Sequence, residues 1–234
     1  ATPSGLYGLE KLYNETLLEG DDITLTIDRN IQAQAGEILK RLMEQFSAAG
    51  GTIIVLEPAT GKIIAIANMP DFNPNIYNEA NIRNFLNSAV QAVYEPGSVF
   101  KPFTMAAGID AGKFTPETTF YDSGSVTLNG KKITNWDHRA YGKITMTNVI
   151  ENSVNTGAVY AESLEGNDVF YAFLKKLGLG VKTDIDLPDE VSGSLRNLEN
   201  KNARPIDFAT AAFGQGTSVT SVQLINAFGS IANG

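Results

Sequence analysis

Ser98 and Lys101 stand three residues apart in YEPGSVFKPFT (94–104), a spacing that puts both side chains on one face of a helix, where hydroxyl and amine can touch. A serine hydroxyl is a weak nucleophile until a base takes its proton, and a lysine becomes such a base when burial lowers its pKa. Pro102 suits only the first turn of a helix, where backbone N–H groups have no intrahelical partner. Ser98 is therefore expected at a helix N-terminus, whose free amides and positive dipole end favour negative charge developing on the serine oxygen. The pair alone is a weak signal, because ordinary composition yields about one Ser-x-x-Lys by chance in a chain of this length. Pro96-Gly97 before it and Pro102 after it supply context. A second group, Ser153 and Asn155 in ENSVNTG (151–157), offers a hydroxyl and an amide between two helical segments. By itself it reads as a helix cap; beside Ser98 and Lys101 it reads as the rest of a site.

These residues need elements to hold them. In DITLTID (22–28) Ile23, Leu25 and Ile27 alternate with polar neighbours, which predicts a half-buried strand. From Asp28 the period changes: Ile31, Ala35, Ile38, Leu42 and Phe46 recur at helical steps, with Asp28 as the cap and Gly50-Gly51 closing the far end. TIIVL (52–56) and KIIAIAN (62–68) flank a turn containing Pro58 and Gly61 and predict a buried hairpin. The stretch 69–82, dense in Asn and Pro, reads as a long surface loop. Beyond it, helical spacing appears over 98–111, 143–151, 157–165 and 168–177, with weak strands around 125–134. Residues 1–20 read as a short helix or a linker.

Composition narrows the chemistry. With 234 residues, 43% of them hydrophobic and 19% charged, the chain suits one main folded domain. A net charge of −8 argues against a nucleic-acid or anionic-membrane surface, since those partners select basic patches. There is no cysteine, which excludes disulfides, thiol nucleophiles and cysteine zinc sites. The single histidine, His138 in NWDHRAYG, cannot build a multi-histidine metal site and is read as structural.

The order EPGSVFKP, then NSVNTG, then ATAAFGQGTSVTSVQLINAFGSIANG (209–234) resembles the transpeptidase domain of penicillin-binding proteins, over essentially the whole chain. LTIDRNIQAQAGEIL (25–39), GGTIIVLEPATGKIIAIANMPDFNPN (50–75) and LGLGVKTDIDLPDE (177–190) match as well, while YGLEKLYNETLLEG and YEPGS are similar to the class B, monofunctional branch. The resemblance implies an α/β (α+β) fold: an antiparallel sheet begun by the 52–68 hairpin and flanked by helices, an all-helical lobe carrying the Ser153 loop, and a cleft between them. It implies that Ser98 attacks the penultimate D-alanine of a peptidoglycan stem peptide, releases the terminal D-alanine and passes the acyl group to an amine of a neighbouring stem. Lys101 would activate Ser98, Ser153 would relay a proton to the leaving amine, and Asn155 would hold the substrate amide and Lys101. Ser98, Asn155 and Trp136 are the expected substrate contacts. β-Lactam antibiotics would acylate Ser98 as substrate mimics. No metal or organic cofactor is implied; a membrane glycan polymerase and other cell-wall synthesis proteins are the expected partners, with no nucleic acid.

The family's third motif, a Lys followed by Ser or Thr and then Gly on a strand, is expected after FGQG, and the sequence reaches Gly234 before it. VKTDID (181–186) precedes FGQG and has Asp184 in place of Gly, so Lys182 is not taken for that motif. The expectation is therefore that residues 22–234 are the N-terminal portion of the transpeptidase domain with its C-terminal strands missing, that 1–21 is a linker from a preceding non-catalytic region, and that a membrane anchor precedes residue 1 and holds the protein on the extracytoplasmic face of the bacterial cytoplasmic membrane. Two other readings stay open: a related serine acyl-enzyme, either a β-lactamase or a β-lactam sensor, and a non-catalytic module that binds cell-wall synthesis partners.

Overall fold

The structure, a computed structural model, describes residues 4–234; the first three residues of the expected linker lie outside the described residues. In chain order the helices are α1 (Gly8–Leu12), α2 (Asn14–Glu19), α3 (Arg29–Phe46), α4 (Ser88–Gln91), α5 (Lys101–Asp110), α6 (Met146–Glu151), α7 (Asn155–Glu165), α8 (Asn167–Lys176), α9 (Arg196–Glu199), α10 (Pro205–Ala211) and α11 (Ser221–Asn233). The strands are β1 (Gly51–Leu56), β2 (Ile63–Met69), β3 (Thr119–Asp122), β4 (Ser125–Leu128), β5 (Lys131–Thr134) and β6 (Gly142–Thr145). They form three antiparallel pairs, β1–β2, β3–β6 and β4–β5. The chain divides into two compact units: one holds the residues up to Val93 with Val181–Ser192 and Thr220–Gly234, the other Tyr94–Gly180 with Gly193–Val219.

The first unit is built around the expected hairpin. Side chains alternate across its two faces, as the pleat requires. Ile53, Val55, Ala65, Ala67 and Met69 meet Ala35, Leu39 and Met43 of α3, while Ile54 and Ile66 meet Ala89 and Val90 of α4, Val222 of α11, and Ile185 and Leu187. Asp28 caps α3 as expected, accepting from the amides of Asn30 and Ile31 at 2.8 and 3.0 Å. Two details differ from the sequence reading. Helix α3 ends at Ser47, which takes the left-handed conformation itself, so the Gly50-Gly51 stop is not used. Its buried line is Ala35 and Leu39, one turn apart, whereas Ile31, Ile38, Leu42 and Phe46 are exposed; the helix carries two apolar lines, and the one through Ala35, Leu39 and Met43 faces the hairpin.

Residues 22–28 form no strand. Their alternation is real, with Ile23 and Ile27 half-buried, but a strand needs a ladder of backbone partners. Here the contact with β2 is one backbone bond, Asp28 N to Ile64 O at 2.9 Å, and one from the Thr26 hydroxyl to the Ile63 carbonyl at 2.5 Å. The 69–82 segment contains short 3₁₀ turns over Pro74–Glu79 and Ile82–Phe85, each opened by an asparagine side chain. Residues 1–20 resolve into α1 and α2 where described.

The second unit packs α5 against α7 and α8, with α6 and α10 also against α7. Met105, Phe114, Met146, Val149, Val154 and Ala161 form its core, with Phe120, Tyr141, Ile144, Tyr160 and Leu164 packed on it. The helix expected over 143–151 begins only at Met146. Residues 143–145 belong to β6, paired with β3, and Thr145 then caps α6 in a reciprocal capping box with Asn148.

Candidate active site

Ser98 lies on a single 3₁₀ turn, Gly97–Phe100, that runs directly into α5 at Lys101. Pro102 sits in the first turn of α5, as its missing N–H demands. In a 3₁₀ turn, residues three apart eclipse one another, so this geometry aligns Ser98 and Lys101 more directly than the α-helical turn expected from the sequence. Ser98 is exposed, yet Lys101 is only 1% exposed. The nucleophile's turn is held from behind by the GQG segment: Gly97 N–H donates to Gly214 O at 3.0 Å, Gly216 N–H to Glu95 Oε1 at 2.8 Å, and Tyr94 and Val219 exchange two backbone bonds at 3.0 Å. Gly214 has φ +79°, and a Cβ there would lie 2.1 Å from the Gly97 carbonyl oxygen. Thr104 Oγ1 ties α5 to the Ala212 carbonyl at 2.8 Å.

Ser153 and Asn155 arrive from the α6–α7 connection. Ser153 has φ +53°, a conformation that costs a non-glycine residue about 1–3 kcal/mol and is found chiefly where surrounding structure holds it. It brings both the carbonyl and the hydroxyl of Ser153 to the same amine: Lys101 Nζ lies 2.7 Å from Ser153 O and 2.9 Å from Ser153 Oγ. Asn155, the first residue of α7, accepts from Lys101 Nζ through Oδ1 at 2.8 Å and donates through Nδ2 to the Thr134 carbonyl of β5 at 2.9 Å. The fourth partner of Nζ is Ser98 Oγ at 3.0 Å. The structure thus brings Ser98, Lys101, Ser153 and Asn155 together at one nitrogen.

Burial pushes the Lys101 amine down to about 8 from its ordinary 10.5. A protonated lysine has three N–H donors and no acceptor, but four oxygens surround this one. The neutral amine, with a lone pair, can accept from a hydroxyl instead, so a serine proton has somewhere to go.

A buried network that sequence reading missed supports Asn155. Asp122, 1% exposed, accepts from Thr156 Oγ1 at 2.6 Å, Gly124 N at 2.8 Å, Asn135 Nδ2 at 2.8 Å and Tyr141 N at 2.9 Å. Asn135 Oδ1 in turn accepts from Thr156 N at 3.2 Å. Burial raises the Asp122 pKa, but the four donors outweigh it and the carboxyl is held below its ordinary value. This network clamps β3, the loop after β5 and the start of α7 around the residue next to Asn155. Apart from the Gly124 amide, two residues along from Asp122, its bonded partners lie 13 to 34 residues apart, so no local pattern marks it.

Trp136 is in that same loop and is 70% exposed. His138 is exposed, in a left-handed conformation, its N–H donating to Asn135 O at 3.1 Å. Lys182 is exposed and belongs to the first unit.

A family model described as the penicillin binding protein transpeptidase domain matches residues 51–234. Among curated relatives, a "Peptidoglycan D,D-transpeptidase FtsI homolog" of Chlorokybus atmophyticus is 32% identical over 223 residues, which are 91% of this chain and 33% of the relative. A "Probable peptidoglycan D,D-transpeptidase PenA" of Neisseria gonorrhoeae is 33% identical over 94% of this chain and 37% of its own length. The chain thus spans about a third of the length of these relatives. Of solved structures, the transpeptidase domain of penicillin-binding protein 3 from Burkholderia pseudomallei superposes with a TM-score of 0.78 at 30% identity, covering 89% of this chain and 58% of that one. A peptidoglycan glycosyltransferase from Burkholderia ambifaria gives 0.79 at 31% identity, over 90% and 61%. The α+β fold expected from the sequence is the fold of these neighbours.

Proposed function

Since the chain belongs to the penicillin-binding-protein transpeptidase domain family, we propose that it carries the serine acyl-transfer site of a class B peptidoglycan D,D-transpeptidase. Residues 22–234 then belong to the catalytic domain and 1–21 lead into it. Ser98 Oγ attacks the carbonyl of the penultimate D-alanine of a stem peptide while its proton passes to neutral Lys101. The tetrahedral intermediate collapses by breaking the amide bond; Ser153 delivers a proton to the departing D-alanine nitrogen and is reprotonated through Lys101. An amine of a second stem attacks the acyl-enzyme by the reverse sequence, returning the proton to Ser98 Oγ. Asn155 keeps Oδ1 on Lys101 and has an amide hydrogen left for the donor peptide. Trp136 contacts substrate from the loop whose Thr134 and Asn135 hold Asn155 and Thr156.

The observation that carries this reading is the buried amine of Lys101 within 3.0 Å of both hydroxyls and of the Asn155 amide oxygen. On the same reading, β-lactams acylate Ser98, and the whole protein works on the extracytoplasmic face of the bacterial cytoplasmic membrane beside a glycan polymerase. Among the described residues no helix is long and apolar enough to cross a membrane. The test is intact mass spectrometry before and after benzylpenicillin, with peptide mapping. A lasting one-penicillin adduct on Ser98, absent in Ser98→Ala, is expected. Rapid loss of the adduct would instead identify a β-lactamase, and no adduct on Ser98 would overturn the proposal.

A further inference from the structure

Helix α7 carries two more carboxyls, Glu162 and Glu165, one turn apart and away from Asn155. They are 5% and 3% exposed. Neither Glu162 Oε1 nor either oxygen of Glu165 has a hydrogen-bond partner. This contrasts with how the chain treats its other buried acids: Asp122 has four donors, and Glu190 accepts from Thr183 N, Thr183 Oγ1 and Asp184 N at 2.8, 2.6 and 3.1 Å. A buried acceptor without a donor costs about 1–3 kcal/mol, so an acid left this way calls for an explanation in what it binds. Burial, then the charge of Glu162, pushes Glu165 up to about 9; burial pushes Glu162 up to about 7. Glu165 is thus neutral at physiological pH, and Glu162 is the one that can take a charge.

Glu162 stands in the wall of an open cavity of about 550 Å³ in the second unit, whose lining reaches Thr156 but includes none of Ser98, Lys101, Ser153 and Asn155. Phe120, Tyr121 and Tyr160 line it, with Val126, Leu128 and the hydroxyl of Ser163; Phe120 and Tyr160 stack with centroids 5.1 Å apart. Asp122 lines the cavity as well, but its carboxylate already accepts from four donors, which leaves Glu162 as the lining carboxyl with an unpartnered oxygen. One such carboxyl is a poor cage for a hard metal ion, which wants several oxygens, whereas a carboxylate among aromatic rings suits an organic ammonium with an apolar stem. We propose that this cavity is a second ligand site that takes a primary alkylammonium group, with Glu162 as its counter-charge and the aromatic wall along its stem.

The test titrates the isotope-labelled chain at pH 7 with n-butylammonium and with butan-1-ol, its uncharged counterpart, following backbone amide shifts. Saturable shifts clustered in β3, β4 and the second half of α7 are expected for the ammonium, with butanol about ten-fold or more weaker, as loss of one charge-assisted hydrogen bond implies. Glu162→Gln should bring the two ligands level, and Glu165→Gln should leave the preference intact. Equal binding of both ligands to the wild type, no saturable shifts, or a preference that survives Glu162→Gln would each overturn the proposal. Should Glu162→Gln not fold, calorimetry of butylammonium binding to the wild type in two buffers of different ionisation enthalpy decides it: proton release as Glu162 ionises is expected, and its absence refutes the site.

Discussion

Raising the pH from 6 to 9 should accelerate acylation of Ser98 by benzylpenicillin about 90-fold, with the curve bending near pH 8. The perturbation acts on Lys101, whose burial brings its pKa to about 8. With that value about 1% of the lysine is neutral at pH 6, about 9% at pH 7 and about 90% at pH 9. If the neutral amine is the base, the rate follows that fraction: close to ten-fold per unit below pH 7, then a plateau. A lysine at its ordinary 10.5 would give a line still climbing at pH 10. The assay is quenched-flow intact mass spectrometry, counting the Ser98 adduct under pseudo-first-order penicillin from pH 5.5 to 9.5, with far-UV circular dichroism to confirm a folded protein at each pH. A pH-independent rate, or one rising without inflection past pH 9.5, would refute the assignment of Lys101 as the base, because its amine is the group hydrogen-bonded to Ser98 Oγ, at 3.0 Å.

Two further outcomes follow from the packing around the site. Gly214→Ala should lower stability by at least about 2 kcal/mol and abolish acylation, since its Cβ would meet the carbonyl of Gly97 at 2.1 Å in a left-handed conformation; Gly216→Ala, also left-handed but meeting only side-chain atoms at 3.4 Å, should be milder in urea melts and in the acylation assay, and equal effects would count against the role given to the 97–214 contact. Asp122→Asn should cost about 2–3 kcal/mol at pH 7, because it turns an acceptor of four donors into a group that must donate. Asp122's folded pKa is depressed, so its contribution is complete above the unfolded value near 3.8 and is lost as pH falls through the folded value; urea melts should show the gap between wild type and variant closing only in that acid range.

What the sequence discloses depends on how far apart the cooperating atoms are along the chain. Ser98 and Lys101 share one turn, and Pro102 fixes where that turn starts, so their contact is legible from spacing. The hairpin is equally local, its turn and alternation falling within 19 residues. Lys101 meets Ser153 and Asn155 across 52 and 54 residues, and no periodicity announces such a contact; it was readable only through the family resemblance. The Asp122 network had no signal at all. Where local pattern misled, tertiary partners decided. The Ile23, Leu25, Ile27 alternation lacks a backbone ladder to become a strand, and α3 carries apolar residues on two lines, of which the one through Ala35, Leu39 and Met43 meets the hairpin while Ile31, Ile38, Leu42 and Phe46 stay exposed; periodicity alone does not choose between them.

The arrangement at Ser98 also explains why the chain uses a 3₁₀ turn there. Nucleophile and base need opposite environments: the hydroxyl must meet a peptide from solvent, and the amine must lose its solvent to become a base near neutral pH. On an α-helical turn, residues three apart diverge by about 60°, so a base buried deeply enough would swing the hydroxyl sideways. The 3₁₀ turn removes that divergence and stacks Ser98, exposed, directly above Lys101, buried, while the Lys101 amide closes the turn on the Ser98 carbonyl. Such turns are weaker than α-helix and short for that reason. This one is braced on the outside by Gly97–Gly214, Gly216–Glu95 and the Tyr94–Val219 pair. The GQG segment therefore contributes to the chemistry without touching a reacting atom: it holds the one local geometry in which an exposed serine and a desolvated lysine can share a hydrogen bond.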